Sequence, residues 1–268
     1  MPNTLIKSGK KIAKGIIYPL YEKRIERLLK GKPIPNHIGV ILDGNRRWSR
    51  ENPDPSGDTS SSRGHRAGAN KIVELLEWSE KAGVKVVTLW LLSNQNLSRD
   101  KNELEPLLEI IESTISGLAK AGKWEIRPVG SINLLPEKLQ NTLNQTAAST
   151  SGIGKLLVNV AVGYGGRDEI ADAFRGYLND PQNQNQTGVQ LARNFDASQI
   201  EKYLYTAGLP DPDLLIRTSG EQRLGGFLLW QSANSEVYFC EAFWPDFRHL
   251  DFLRAMRSFA QRQRRYGL

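Results

Sequence analysis

The stretch His37-Ile38-Gly39-Val40-Ile41-Leu42-Asp43-Gly44-Asn45-Arg46-Arg47-Trp48 decides how the rest of the chain is read. Its first half is a short, unbroken apolar run rich in β-branched residues, the pattern of a strand buried on both faces. The run comes after Pro33 and Pro35 and stops at Asp43-Gly44-Asn45, a turn signal. Similar short apolar segments recur at 84–92, 125–130, 155–162, 213–218 and 236–239. Between them apolar residues fall at helical spacing: Ile72, Leu75 and Leu76 within 65–81, then Leu104, Leu107, Leu108, Ile111, Ile115 and Leu118. Further helices are expected over 167–178 and 251–264. Strands that alternate with helices predict an α/β class, with a largely parallel central sheet of about six strands flanked by helices.

The chain has 268 residues, of which 39% are hydrophobic and 24% charged, ordinary values for a globular protein. Its net charge of +7 favours anionic partners: diphosphates, anionic lipid or nucleic acid. With Cys240 as its one cysteine, no intramolecular disulfide forms, and a reducing compartment fits. His37, His65 and His249 lack metal-ligand spacing. No apolar run reaches the roughly 18 residues of a membrane span, and no secretory h-region is seen, so a cytoplasmic protein is expected. Residues 1–31 form a basic amphipathic helical segment. Lys7, Lys10, Lys11 and Lys14 accompany Leu5, Ile12, Ile16 and Leu20, and Pro19 divides it from Tyr21, Ile25, Leu28 and Leu29. It reads either as a helix packed on the main domain, residues 32–268, or as a peripheral membrane contact. Residues 51–63 and 179–190 are loops by composition.

In parallel sheets, ligands bind beyond the carboxyl ends of the strands. The first strand leads into Asp43-Gly44-Asn45-Arg46-Arg47-Trp48, and the second into Ser93-Asn94-Gln95-Asn96-Leu97-Ser98-Arg99. The fourth leads into Tyr164-Gly165-Gly166-Arg167, and the fifth into Arg217-Thr218-Ser219-Gly220-Glu221-Gln222-Arg223. Arginine presents a planar fork to phosphate oxygens. Gly44 and Gly220 are expected to let backbone N–H groups approach an anion. One carboxylate beside a bound phosphate suits magnesium. Taken singly, each residue has a plain structural reading: a helix cap for Asp43, a solvated charge for Arg47 or Arg99, core for Trp48. Together on one edge they point to a phosphate-bearing substrate.

Residues 37–48 resemble the first signature of the undecaprenyl diphosphate synthase family of cis-prenyltransferases. Gly64-His65-Arg66-Ala67-Gly68 is similar to the next block, and Asn159-Val160-Ala161-Val162-Gly163-Tyr164-Gly165-Gly166-Arg167 to another. Asp213-Leu214-Leu215-Ile216-Arg217-Thr218-Ser219-Gly220-Glu221-Gln222-Arg223 is similar to a further one, continuing to Phe227-Leu228-Leu229-Trp230-Gln231 and Trp244-Pro245-Asp246-Phe247. The resemblance runs over 34–267. Leu91-Leu92-Ser93-x-x-Asn96-Leu97-x-Arg99-Asp100 most resembles the actinobacterial short-chain Z-farnesyl diphosphate synthases.

The resemblance implies a homodimer with a hydrophobic tunnel for the growing chain, Mg2+ as cofactor, and isopentenyl diphosphate and an allylic diphosphate as substrates. It places Asp43 and Glu236 at the metal. It places Gly44, Asn45, Arg46, Arg47, Trp48 and His65 at the allylic diphosphate, and Ser93, Asn94, Gln95, Asn96 and Arg99 around the reacting centre, Asn96 as proton acceptor. Arg217, Arg223, Leu224 and Gly225 fall at the isopentenyl diphosphate. Arg265, in Arg265-Tyr266-Gly267, matches an element that reaches across the dimer. The chain departs from the family pattern in having Leu97 for a common Trp, Gln95 for Glu, and Gly225 for a Ser, which removes one phosphate hydroxyl. Ser61 stands where an Arg is usual, and whether Arg63 replaces it is open.

Rival readings are few. A trans-type synthase needs Asp-Asp-x-x-Asp clusters, which are absent, and a haloacid-dehalogenase-like phosphatase needs an Asp where Asn45 stands. A nucleic-acid binder accounts for the charge but not the motifs. A non-catalytic partner subunit would tend to lose Asp43 and Arg47, which are present. Within the family, the resemblance puts Leu91 on the tunnel wall. A bulky residue there predicts a short product such as (2Z,6E)-farnesyl diphosphate, made from geranyl diphosphate; as ordinary strand core, Leu91 would say nothing about length. Medium- or long-chain synthesis and head-to-middle coupling are the alternatives.

Overall fold

The computed structural model describes residues 18–262. Helix α1 covers 18–29. After it come β1 (His37–Ile41), α2 (Asn45–Glu51), α3 (Ser61–Ala82), β2 (Val86–Ser93), a 3₁₀ turn Asn94–Ser98, and α4 (Lys101–Ala121). Next are β3 (Glu125–Val129), α5 (Glu137–Thr150), β4 (Leu157–Tyr164), α6 (Gly166–Asn179), α7 (Gly188–Asn194) and α8 (Ala197–Glu201). The chain closes with β5 (Leu214–Arg217), β6 (Glu236–Phe239) and α9 (His249–Gln261).

The strands form one sheet in the order β3-β4-β2-β1-β5-β6, and every neighbouring pair is parallel. From β1 the chain passes to β2, crosses to the edge strand β3, lays β4 between β2 and β3, then returns to place β5 on the other side of β1. That reversal opens a crevice at the carboxyl ends of β1 and β5. Ile38, Val40, Leu89 and Val160 are fully buried, as strands covered on both faces require.

The strands sit within two residues of the segments expected from hydrophobic runs, and the sixth coincides with its segment. The helices differ more. Helix α5 was not expected: its buried stripe is Leu139, Leu143, Thr146 and Thr150, half of it threonine, on a Gln- and Asn-rich sequence. Helix α2 begins directly after Gly44, where the sequence read only as a turn. Helices α7 and α8 lie in and after a segment read as loop. Helix α3 starts at Ser61, so the loop is shorter than expected.

Two close approaches set α2 against α3. A Cβ on Gly64 would lie 2.1 Å from the Asn45 carbonyl oxygen, and one on Gly68 2.3 Å from Asn45 Oδ1. Only glycine lets these helices come so near. Tyr18, Tyr21, Ile25 and Leu29 of α1 pack with Leu250 and Leu253 of α9, so over 18–29 the segment is a docked helix. Leu5, Lys7, Lys10, Lys11, Ile12, Lys14, Ile16 and Arg265 lie outside the described residues.

Candidate active site

The carboxyl edge of β1, β2 and β5 opens into a cavity of ≈ 610 Å³. Its floor is apolar: Ile41, Leu42, Trp90, Leu91, Leu92 and Leu107. Its walls carry Arg46, Arg47, Arg50, Arg99, Arg217 and Arg223 against two carboxylates, Asp43 and Glu221. Such an excess of guanidinium selects a multiply charged anion.

Asp43 lies just past the end of β1, and its backbone is fixed. Its N–H donates to Thr218 Oγ1 at 3.0 Å, the Thr218 hydroxyl donates to its carbonyl at 2.7 Å, and the Trp244 N–H donates to the same carbonyl at 3.0 Å. The carboxylate accepts from Arg217 Nη2 at 2.7 Å, and Arg47 Nη2 lies 3.6 Å away. Burial pushes the Asp43 carboxyl up, but hydrogen bonds from Arg217 and Ser219 and the charges of Arg217 and Arg47 outweigh it. The group is held below the usual carboxylate range. It is an anion at neutral pH.

Arg217, 7% exposed, also donates from Nη1 to the backbone carbonyl of Arg223. Arg47 donates to Ser219 Oγ at 2.7 Å and to Glu221 Oε1 at 3.2 Å, while Arg223 Nη1 lies 2.9 Å from Glu221 Oε2. On the opposite wall, Glu103 lies 2.9 Å from Arg99 Nη1 and 3.3 Å from Arg46 Nη1. His65 stands nearby with its Nδ1 buried and unpartnered. Burial first, then the positive charge of Arg99, pulls the His65 pKa down to about 4, so the imidazole is neutral at pH 7.

Past Leu91 and Leu107 lies a small apolar chamber of ≈ 50 Å³ between α3 and α4, lined also by Gly68, Ala69, Ile72, Ile110, Ile111, Thr114 and Trp244. Leu42, Asn45, His65, Leu91 and Leu107 border both spaces. An anion-binding mouth with an apolar annex is built for an amphiphile with a charged head and a short hydrocarbon tail.

The expected site residues sort into groups. Asp43, Gly44, Asn45, Arg46, Arg47, His65, Ser93, Asn96, Arg99, Arg217 and Arg223 surround the one cavity, with Leu91 on its floor. Asn94, Gln95 and Gly225 instead line a neighbouring cavity of ≈ 630 Å³ beyond β2 and β4, with Trp90 and Ser93 at the border. Asn94 Nδ2 donates to Asp168 at 2.6 Å. Leu224 packs against the same apolar cluster as Trp90. Trp48 is not on the cavity wall; Arg63 stacks 4.8 Å over its ring and does not line the cavity either. Glu236 begins β6, in register with Leu214, while Arg217 pairs with Phe239 at the other end. It therefore lies at the far edge of the sheet from Asp43, paired with Arg262, and does not share an ion with Asp43 within one chain. Gly220 offers no free amide, because its N–H donates to the Cys240 carbonyl at 2.9 Å.

Sequence reading missed Glu221, Ser219, Thr218 and Glu103. Each lies within a stretch already singled out or one turn beyond, but a carboxylate among arginines reads as a spacer until its partners are seen. The described residues hold no cluster of three or more His, Cys, Asp or Glu placed to bind a metal. One carboxylate facing a phosphate-sized cavity nonetheless suits magnesium, which takes one or two protein carboxylates and fills its sphere with substrate oxygens and water.

Comparison with known proteins agrees with this geometry. Residues 41–267 match the family profile described as "undecaprenyl diphosphate synthase". The chain is 57% identical over 251 residues to a (2Z,6E)-farnesyl diphosphate synthase of Thermobifida fusca, covering 94% of this chain and 97% of the relative. It is 48% identical to a short-chain Z-isoprenyl diphosphate synthase of Mycobacterium bovis, covering 94% and 95%. Among solved structures, lavandulyl diphosphate synthase from Lavandula x intermedia in complex with dimethylallyl diphosphate superposes with a TM-score of 0.79 at 31% identity, over 88% of this chain and 99% of that one.

Proposed function

This chain belongs to the cis-prenyltransferase family, the isoprenyl transferases related to undecaprenyl diphosphate synthase, and from that premise we propose that it joins isopentenyl diphosphate to geranyl diphosphate to give (2Z,6E)-farnesyl diphosphate. The observation that carries the reading is the arginine-walled cavity of ≈ 610 Å³ opening onto an apolar chamber of only ≈ 50 Å³. Two diphosphates fit the first; a short tail alone fits the second.

Arg46, Arg47 and the start of α2 hold the allylic diphosphate, and Arg217 and Arg223 hold isopentenyl diphosphate. Asp43 is the residue that would hold magnesium. When bound, the ion supplies positive charge to the departing diphosphate. The allylic carbon–oxygen bond breaks, the double bond of isopentenyl diphosphate forms the new carbon–carbon bond, and loss of a proton sets the cis double bond. Holding two anions side by side is chiefly a positioning task. Asn96 matches the family's proton acceptor, but its carboxamide oxygen already accepts the Ser93 N–H at 3.2 Å. We assign Asn96 to orienting the reacting centre, and the proton to the departing diphosphate, a stronger base than a carboxamide. Neutral His65 is a hydrogen-bond donor beside the allylic site.

Mass analysis of products from isopentenyl diphosphate with ten- and fifteen-carbon primers tests the reading. A fifteen-carbon Z product supports it, and chains of fifty carbons or more refute it. The likeness to a synthase solved with dimethylallyl diphosphate makes coupling of two five-carbon units the second reading. Product from dimethylallyl diphosphate alone would establish that one. We also read the exposed Phe174, Leu178 and Leu229 as part of a homodimer face, to be checked by sedimentation. No described helix is long and apolar enough to cross a membrane. A peripheral membrane contact is proposed from the charge of Lys7, Lys10, Lys11 and Lys14, and loss of anionic-vesicle binding on deleting residues 1–17 is its test.

A further inference from the structure

The charged groups at the cavity mouth form a closed ring. Asp43 accepts from Arg217 at 2.7 Å; Arg217 donates to the Arg223 carbonyl; the Arg223 side chain lies 2.9 Å from Glu221; Glu221 accepts from Arg47 at 3.2 Å; and Arg47 lies 3.6 Å from Asp43. Two carboxylates and three arginines thus close the ring, with Arg217 and Arg223 adjacent in it and joined through the Arg223 backbone carbonyl. Asp43 is accounted for by the reaction centre, and Glu221 is not. Its two oxygens are divided, Oε1 to Arg47 and Oε2 to Arg223. Those arginines belong to different substrates, one to the allylic diphosphate and one to isopentenyl diphosphate.

The backbone is shaped to deliver Glu221 to that place. Ser219 and Gly220 both take left-handed conformations, φ 78° and 73°. For serine this is an uncommon backbone state, held where the surroundings overdetermine it. Here the Ser219 N–H donates to the Ala242 carbonyl at 2.7 Å and the Gly220 N–H to the Cys240 carbonyl at 2.9 Å. The turn is clamped to the segment after β6, and Glu221 projects from it into the ring.

We propose that Glu221 is a positioning residue that sets the two diphosphate sites at their working separation by holding Arg47 with one oxygen and Arg223 with the other. This rests on the substrate assignment above. A carboxylate between two guanidiniums also relieves their mutual repulsion before either anion arrives, so both substrates find extended, pre-oriented donors.

Steady-state kinetics of Glu221→Gln with isopentenyl diphosphate and geranyl diphosphate varied separately tests the idea. The pairs are partly exposed, so a modest effect is expected: KM rises roughly two- to fivefold for each substrate, with kcat less affected. The decisive readout uses two backgrounds. With Arg47→Ala already present, Glu221→Gln should raise only the isopentenyl diphosphate KM further. With Arg223→Ala present, it should raise only the allylic KM. Glu221→Asp, which keeps the charge, should recover part of the loss. A merely structural role would give the same penalty in every background, and that result overturns the proposal, as does an effect on one substrate alone in the unmodified chain. A wild-type protein that condenses the two substrates but shows the wrong variant pattern overturns this inference only. A wild type that condenses nothing overturns the function reading and this inference with it.

Discussion

Strand β1 is five residues long, and its two ends are chemically opposed. At its start, His37 is 1% exposed and fully engaged: Nδ1 donates to the Pro210 carbonyl at 2.7 Å, and Nε2 lies 2.8 Å from Thr88 Oγ1, which in turn accepts from Asn159 Nδ2 at 2.9 Å. That arrangement fixes the tautomer, since only a proton on Nδ1 satisfies the carbonyl. It ties β1, β2 and β4 together with neutral partners. Just past the other end, Asp43 stands among arginines in an open cavity, and Asn45 Oδ1, His65 Nδ1 and Arg217 Nε are buried without protein partners. Apart from Asn159 Oδ1, which is buried without a partner, the polar groups at the start satisfy one another, whereas the unpartnered groups at the other end line a cavity that a ligand can fill. The same strand therefore separates stability at one end from chemistry at the other, and substitutions at the two ends should fail in different ways.

The largest effect is expected at Asp43. Asp43→Asn keeps an acceptor for Arg217, so melting should change little, while the charge that would hold the metal is gone. Turnover should fall by about 10²-fold or more. Near-normal kcat would break the comparison at its active end. Next is His37→Leu, which leaves the Pro210 carbonyl and Thr88 without their buried partner. It should cost about 2 kcal/mol of stability, read by denaturant unfolding, with the KM of the surviving folded protein unchanged. pH adds a second signature. Burial pulls the His37 pKa from 6.5 down to about 4, so between those values the unfolded chain binds the proton that the folded chain refuses. Stability is present in full above pH 6.5 and is lost as pH falls toward 4, by at most about 3 kcal/mol. In His37→Leu that share of the acid-induced loss should vanish, and an unchanged acid limb would show that the group does not titrate as described.

A smaller effect separates the two arginines proposed to hold isopentenyl diphosphate. Arg223 is exposed and Arg217 buried. Arg223→Ala should raise the isopentenyl diphosphate KM roughly tenfold, the worth of one charge-assisted contact, and leave the primer KM nearly unchanged. Arg217→Ala should also disturb Asp43 and so depress kcat. Equal behaviour of the two variants would show that burial does not distinguish them.

The same contrast governs how much was legible in sequence. The strands announced themselves as apolar runs, and the parallel α/β class came from their alternation with helices. Asp43, Arg47, Arg217 and Arg223 were legible as strand-end loops that converge. What sequence lacked was direction. Trp48, one residue from Arg47, turns away to Arg63; Asn94 and Gln95, beside Ser93, face the next cavity; and Glu236 sits at the wrong end of its strand to meet Asp43. The first three are sequence neighbours of true wall residues, and in every case only the backbone decides where the side chain ends up. Helix α5 escaped because threonines fill half its buried stripe, so its periodicity is faint in apolar residues alone.

Leu91 shows the same limit and gives the subtlest prediction. On a regular strand, Leu91 and Leu92 would face opposite sides of the sheet. The β2–β4 ladder is irregular here, with register shifts between Trp90 and Leu92 and between Leu92 and Ser93. Trp90 joins the apolar cluster on one side, while Leu89, Leu92 and, partly buried, Leu91 all pack into the core on the other. An extra residue in a strand re-aims a side chain in this way, and here it brings Leu92 to the side that Leu89 and Leu91 already share. Leu91 lies between the charged mouth and the chamber between α3 and α4, touching both. If the chamber receives the growing chain, that chain must pass Leu91, and pushing into a close-packed wall costs about 1–3 kcal/mol. Elongation should therefore stop early in the wild type. Leu91→Ala should merge the two spaces and shift products beyond fifteen carbons, with little change in the rate of the first condensation. Because Leu91 is only half-buried, the loss of stability should stay below the roughly 2–5 kcal/mol typical of fully buried Leu→Ala changes. Unchanged product length with reduced stability would mean that Leu91 is ordinary strand core and that the chamber's closure lies elsewhere.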